Sequence, residues 1–97
     1  MKRKILLSRL DDIGIKNVID LDNITIEEEK RIFNKVNEKY NIEININKIR
    51  GNSEYQRGFF YSIKFHEQLI QHFGFPKRSN AIISSLKKIF ELTTTNK

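Results

Sequence analysis

Two alternating stretches constrain this chain most. Residues 41–47, NIEININ, set Ile42, Ile44 and Ile46 against Glu43, Asn45 and Asn47, the period-2 pattern of a half-buried strand. Residues 59–65, FFYSIKF, repeat it, with Phe59, Tyr61, Ile63 and Phe65 on one face and Phe60, Ser62 and Lys64 on the other. Between them RGNSEYQRG supplies two glycines and several turn formers, so the pair reads as an antiparallel hairpin with a long connection. Ile49 falls out of phase with Ile46, which predicts a strand end or a bulge there.

Helical patterns flank the hairpin. TIEE at 25–28 is a capping box, Thr25 as N-cap and Glu28 three residues on, ahead of a stripe of Ile32, Phe33, Val36 and Tyr40. Residues 4–13, KILLSRLDDI, place Leu6, Leu10 and Ile13 at helical spacing with Gly14 as a helix stop, although a short strand at 4–7 competes. Residues 15–24 are too irregular to assign. HEQLIQHFGF reads as a two-turn helix over 66–73, with Leu69, Ile70 and Phe73 inward and Gly74 ending it. The spacing of Ile82, Ile83, Leu86, Ile89 and Phe90 predicts a final helix from Ser79 to Leu92, capped by Ser79 or Asn80. Ser84, Ser85, Lys87, Lys88 and Glu91 are then expected to face solvent, and TTTNK to fray. The expected architecture is α+β, a single domain over 1–97. It comprises an irregular or helical segment to residue 24, a capped helix, an antiparallel hairpin and two C-terminal helices on the hairpin's apolar face.

Composition narrows function by exclusion. There is no cysteine, which removes disulfides, thiol nucleophiles and thiolate metal sites. The start, MKRKILLSRLDD, has only a three-residue apolar run, too short for a secretory core or a membrane span, so a cytoplasmic or organellar protein is expected. No HExxH, Gly-x-Ser-x-Gly or phosphate-binding glycine loop occurs, and the histidines at 66 and 72 stand six apart. Tyr55, Arg57, Lys64 and His66 are the residue types of a metal-free ribonuclease. Strand parity sets the first two on one face and the last two on the other, so no enzyme, cofactor or metal is expected.

Charge points elsewhere. The net charge is +6, and a polyanionic partner suits it. Lys2, Arg3, Lys4 and Arg9 open the chain without an acid, residues 10–29 carry seven acids against Lys16, and the remainder is strongly cationic. The candidate phosphate contacts are Lys48, Arg50, Arg57, Lys64, Lys77 and Arg78, from the hairpin and the start of the last helix. Tyr55, and Phe60 on its otherwise polar strand face, are candidates for stacking on bases. The expectation is a nucleic-acid-binding protein, DNA or RNA unresolved. The alternative is a small protein-interaction factor (a ribosome-associated subunit, a phage or plasmid accessory protein, or an inhibitor of a host protein) whose acidic residues 11–29 engage a basic partner. An equally simple reading of the charges docks the acidic block on a basic face of this chain or of a second copy. A homodimer is compatible with either, and no membrane partner is expected.

Two local resemblances bear on this. FYSIKF followed by FGFPKRSNAIISSLKKIF resembles the ribbon-helix-helix DNA-binding fold, with Arg78, Ser79, Ile82 and Leu86 in matching places. It spans only about 59–92, its middle helix is a turn or more too short, and its strand already has an intrachain partner at 42–47. LDDIGIKNVIDL resembles half of a helix-hairpin-helix, but two aspartates beside Gly14 would repel phosphate. Neither is adopted.

Overall fold

The computed structural model describes residues 2–16, 20–49 and 58–94. Along the chain run α1 (Arg3–Asp12), a 3-10 turn (Leu21–Asn23), α2 (Ile26–Tyr40), β1 (Glu43–Lys48), β2 (Phe59–Phe65), β3 (Gln68–Phe75) and α3 (Arg78–Thr94). These make a small α+β domain with a three-stranded antiparallel sheet in the order β1–β2–β3. None of the described helices is long and apolar enough to cross a membrane.

The β1–β2 hairpin follows its alternation. Ile44 lies opposite Ile63 and Ile46 opposite Tyr61, so both apolar rows face the same way and all four side chains are buried. The strand stops at Lys48, just before the out-of-phase Ile49, whose N–H donates to the Gly58 carbonyl at 2.7 Å. Gly58 itself has φ +113°, and a Cβ there would lie 2.6 Å from the Phe75 carbonyl oxygen. Glycine is required at that point because two backbones meet.

Residues 66–73 correct the sequence reading. They are not a helix: His66 and Glu67 form a two-residue turn and β3 returns beside β2. The strand–helix–helix order of the ribbon-helix-helix resemblance is therefore absent. Leu69, Ile70 and Phe73 do sit at helical spacing, but as a strand they divide between two faces. Ile70 points into the core opposite Ile63, whereas Leu69 and Phe73 lie on the outer face, 58% and 59% exposed. The register then shifts by one residue. Phe59 pairs with Phe75 and Tyr61 with His72, so Phe60 faces both Phe73 and Gly74, a bulge that Gly74 allows with φ +91°.

The helices cover one face of the sheet. α1 ends in a Schellman motif: Gly14 N–H donates to the Asp11 carbonyl at 3.0 Å and Ile15 N–H to the Leu10 carbonyl at 2.8 Å. Leu6, Leu10, Ile13 and Ile15 are buried. α2 opens with the reciprocal Thr25–Glu28 box, both bonds at 3.1 Å, and buries Ile32 and Val36. Asn41 ends it in the left-handed region, φ 57°.

α3 runs across β1 and β2 on the inner face, with α1 and the 3-10 turn packed against it. That central position makes its apolar surface wider than one stripe. Ser85, expected at the surface, is fully buried and donates from Oγ to the Ile82 carbonyl at 2.7 Å. Phe90 is fully buried and meets Tyr40 edge-on, 6.5 Å between centroids. Burying an apolar side chain such as Phe90 contributes about 1.5–3 kcal/mol. The start of α3 also differs from expectation. Ala81 N–H donates to the Lys77 carbonyl, so Lys77 is the flanking residue, and Ser79 and Asn80 lie inside the first turn rather than capping it.

Candidate nucleic-acid interface

With all three helices on one side, no described helix covers the other face of the sheet. Its rows follow from strand parity: Glu43, Asn45 and Asn47 from β1, Phe60, Ser62 and Lys64 from β2, and Leu69, Gln71 and Phe73 from β3. The Phe60 and Phe73 rings stack at 4.7 Å between centroids and 25° between planes, brought together by the bulge. Beside them Gln71 Nε2 donates to Ser62 Oγ at 2.9 Å. One end of the strip is thus aromatic, its middle neutral and polar, and its other end carries Lys64 between Glu43 and Leu69.

The proposed phosphate contacts do not form one cluster. Lys48 is exposed at the end of β1, opposite Phe59, and Lys64 is exposed on the outer face. Arg50, Arg57 and the stacking candidate Tyr55 lie outside the described residues. Lys77 is exposed before α3, where it helps hold the Asp22 carboxyl below the ordinary carboxylate range, an effect due first to the Arg3 guanidinium bonded to Asp22.

Arg78 is committed elsewhere. Its Nε and one terminal nitrogen donate to the two carboxylate oxygens of Glu29, at 2.7 and 2.8 Å. Glu29 is 8% exposed, in the first turns of α2, so the pair joins the starts of two helices. The bond raises the Arg78 guanidinium above its ordinary pKa. It also explains why a cation stands where the α3 dipole disfavours one: a nearby carboxylate answers it.

Some contributors were missed by sequence reasoning. Phe73 was expected in the core, yet it is the outward partner of Phe60. Arg3, itself paired with Asp22, reaches a shallow cavity of about 290 Å³ beside α3 that Asn80, Ser84 and Lys87 also line. His66 lies against Phe65 in the turn and His72 stacks on Tyr61 at 5.5 Å. Among the described residues no three His, Asp or Glu side chains converge as a metal would need.

Fold and site together define a small α+β domain that presents a bare antiparallel sheet face with an aromatic pair. Comparison with protein-family models, curated proteins and solved structures finds no match for the chain.

Proposed function

We propose that this chain is a non-enzymatic nucleic-acid-binding protein that receives single-stranded segments on the open face of its sheet. The observation that carries the reading is the outward Phe60–Phe73 stack, with Phe73 59% exposed. Bases offer planar π-faces, and an exposed aromatic on a sheet is a platform for them worth about 1–3 kcal/mol per stacked base. Duplex bases are already stacked and do not reach such a platform. Phosphates are served by Lys64 on this face. Lys48, at the strand end but with the parity of Ile44 and Ile46, and Arg50 and Arg57, which follow it in sequence, are candidates for contacts farther along the strand of nucleic acid. Arg78 is not assigned to this surface, because two of its N–H groups hold it against Glu29 at the start of α2.

Fluorescence anisotropy with labelled single-stranded and duplex oligonucleotides, from about 50 to 200 mM salt, tests this. Single strands are expected to bind more tightly than duplex, with affinity falling as salt rises, and Phe73→Ala to weaken binding about 5- to 100-fold. Absence of binding at the lowest salt, or a Phe73→Ala variant that binds normally, would overturn the reading. A protein-interaction role is the second reading, favoured by the outer edge of β3, with which no described strand pairs.

A further inference from the structure

β3 is an edge strand, and among the described residues no other strand pairs with its outer side. Edge strands invite pairing and are normally blunted by charge, proline, brevity or a bulge, and the bulge of β3 lies only at its far end, by Phe73 and Gly74. β3 runs for eight residues, Gln68–Phe75, and contains no Lys, Arg, Asp, Glu or Pro, in a chain that is 31% charged. The opposite edge strand, β1, carries Glu43 and Lys48. Two copies of a +6 chain repel each other over most of their surfaces. The uncharged β3 edge is where that repulsion opposes approach least.

We infer that two copies of this chain pair antiparallel through β3, with Gln71 opposite the partner's Gln71. Geometry selects this register. A two-fold axis that sets antiparallel strands edge to edge stands perpendicular to the sheet, so residues of like parity face each other. The bulge ends the regular strand near Phe73, which leaves residues 68–73 to pair. Centring on Gln71 brings Leu69 against the partner's Phe73 on the outer face, twice. Both exposed large apolar side chains of β3 then gain a flanking neighbour across the seam, while their outward faces stay open. The helices of both copies stay on one side, and the two outer faces merge into one six-stranded surface.

The six paired residues span about 20 Å and bury less than the roughly 1,200 Å² of a standard interface, so the dimer is weak. This pairing does not depend on nucleic-acid binding, and mass, not affinity for an oligonucleotide, is its readout.

Sedimentation equilibrium over a range of protein concentration tests it. The mass of the wild-type chain is expected to rise from 11.6 kDa toward twice that value. Q71K and Q71E, at an exposed position, are each expected to stay monomeric, while an equimolar mixture recovers the dimer mass. Circular dichroism of each variant checks folding, and L69K, on the same strand, replaces either if it unfolds. A wild-type chain that remains monomeric at hundreds of micromolar overturns the inference and leaves the edge to a different protein. A dimer indifferent to Q71K, Q71E and L69K overturns it equally, by placing the interface elsewhere.

Discussion

Arg78 shows how a single side chain's surroundings decide its role. Read from sequence, a cation at a helix start is a natural phosphate ligand. In the structure it forks onto a carboxylate 49 residues away that is itself almost buried. Removing the guanidinium leaves Glu29 charged and poorly solvated, whereas the Arg78 side chain, 40% exposed, has water as an alternative. Arg78→Ala is therefore expected to cost about 2–3 kcal/mol, below the full penalty for a completely buried pair. Urea unfolding would show this as a lower midpoint at unchanged slope. The salt dependence of oligonucleotide binding should stay as in the wild type. A normal midpoint with a shallower salt slope would return Arg78 to the nucleic-acid surface.

The turn between β2 and β3 carries a comparable lesson for an element. Two-residue hairpin turns favour glycine or asparagine where φ is positive, yet this one uses His66 at φ 58°. His66→Gly is expected to stabilise the protein by about 0.5–1 kcal/mol and raise its melting temperature by a few degrees. Destabilisation instead would mean that the ring contact with Phe65, 4.3 Å between centroids, outweighs the backbone cost. The same residue explains why β3 was not legible. Without turn chemistry at 66–67, Leu69, Ile70 and Phe73 matched a helical period, and the bulge at Gly74 broke the strand alternation that would have corrected it. The β1–β2 hairpin, the capped α2 and the core stripe of α3 were legible because local period and tertiary burial agree there. Phe60 was legible as an apolar residue on a polar face. Phe73, its partner, and Glu29, the counterion of Arg78, were not, since both depend on contacts between elements.

Across the whole molecule, the charge segregation of the sequence is partly resolved within the chain. Asp22 binds Arg3 and Glu29 binds Arg78, so two members of the acidic block dock on basic groups of the same chain. The inner face of the sheet is likewise answered by one element, α3, which touches all three strands. A chain shortened after Lys77 is expected to leave Ile44, Ile46, Tyr61 and Ile63 without that cover. It should bind a hydrophobic dye and lose its cooperative thermal transition. A sharp transition in the shortened chain would mean that α1 and α2 suffice.

The position of α3 after all three strands also has a consequence in time. The sheet's residues are synthesised before the 17 residues of α3, which follow over roughly one to three seconds at about 5–20 residues per second. Until α3 has been made, the apolar face of the sheet lacks its cover, so the core of this domain cannot close before that helix is available.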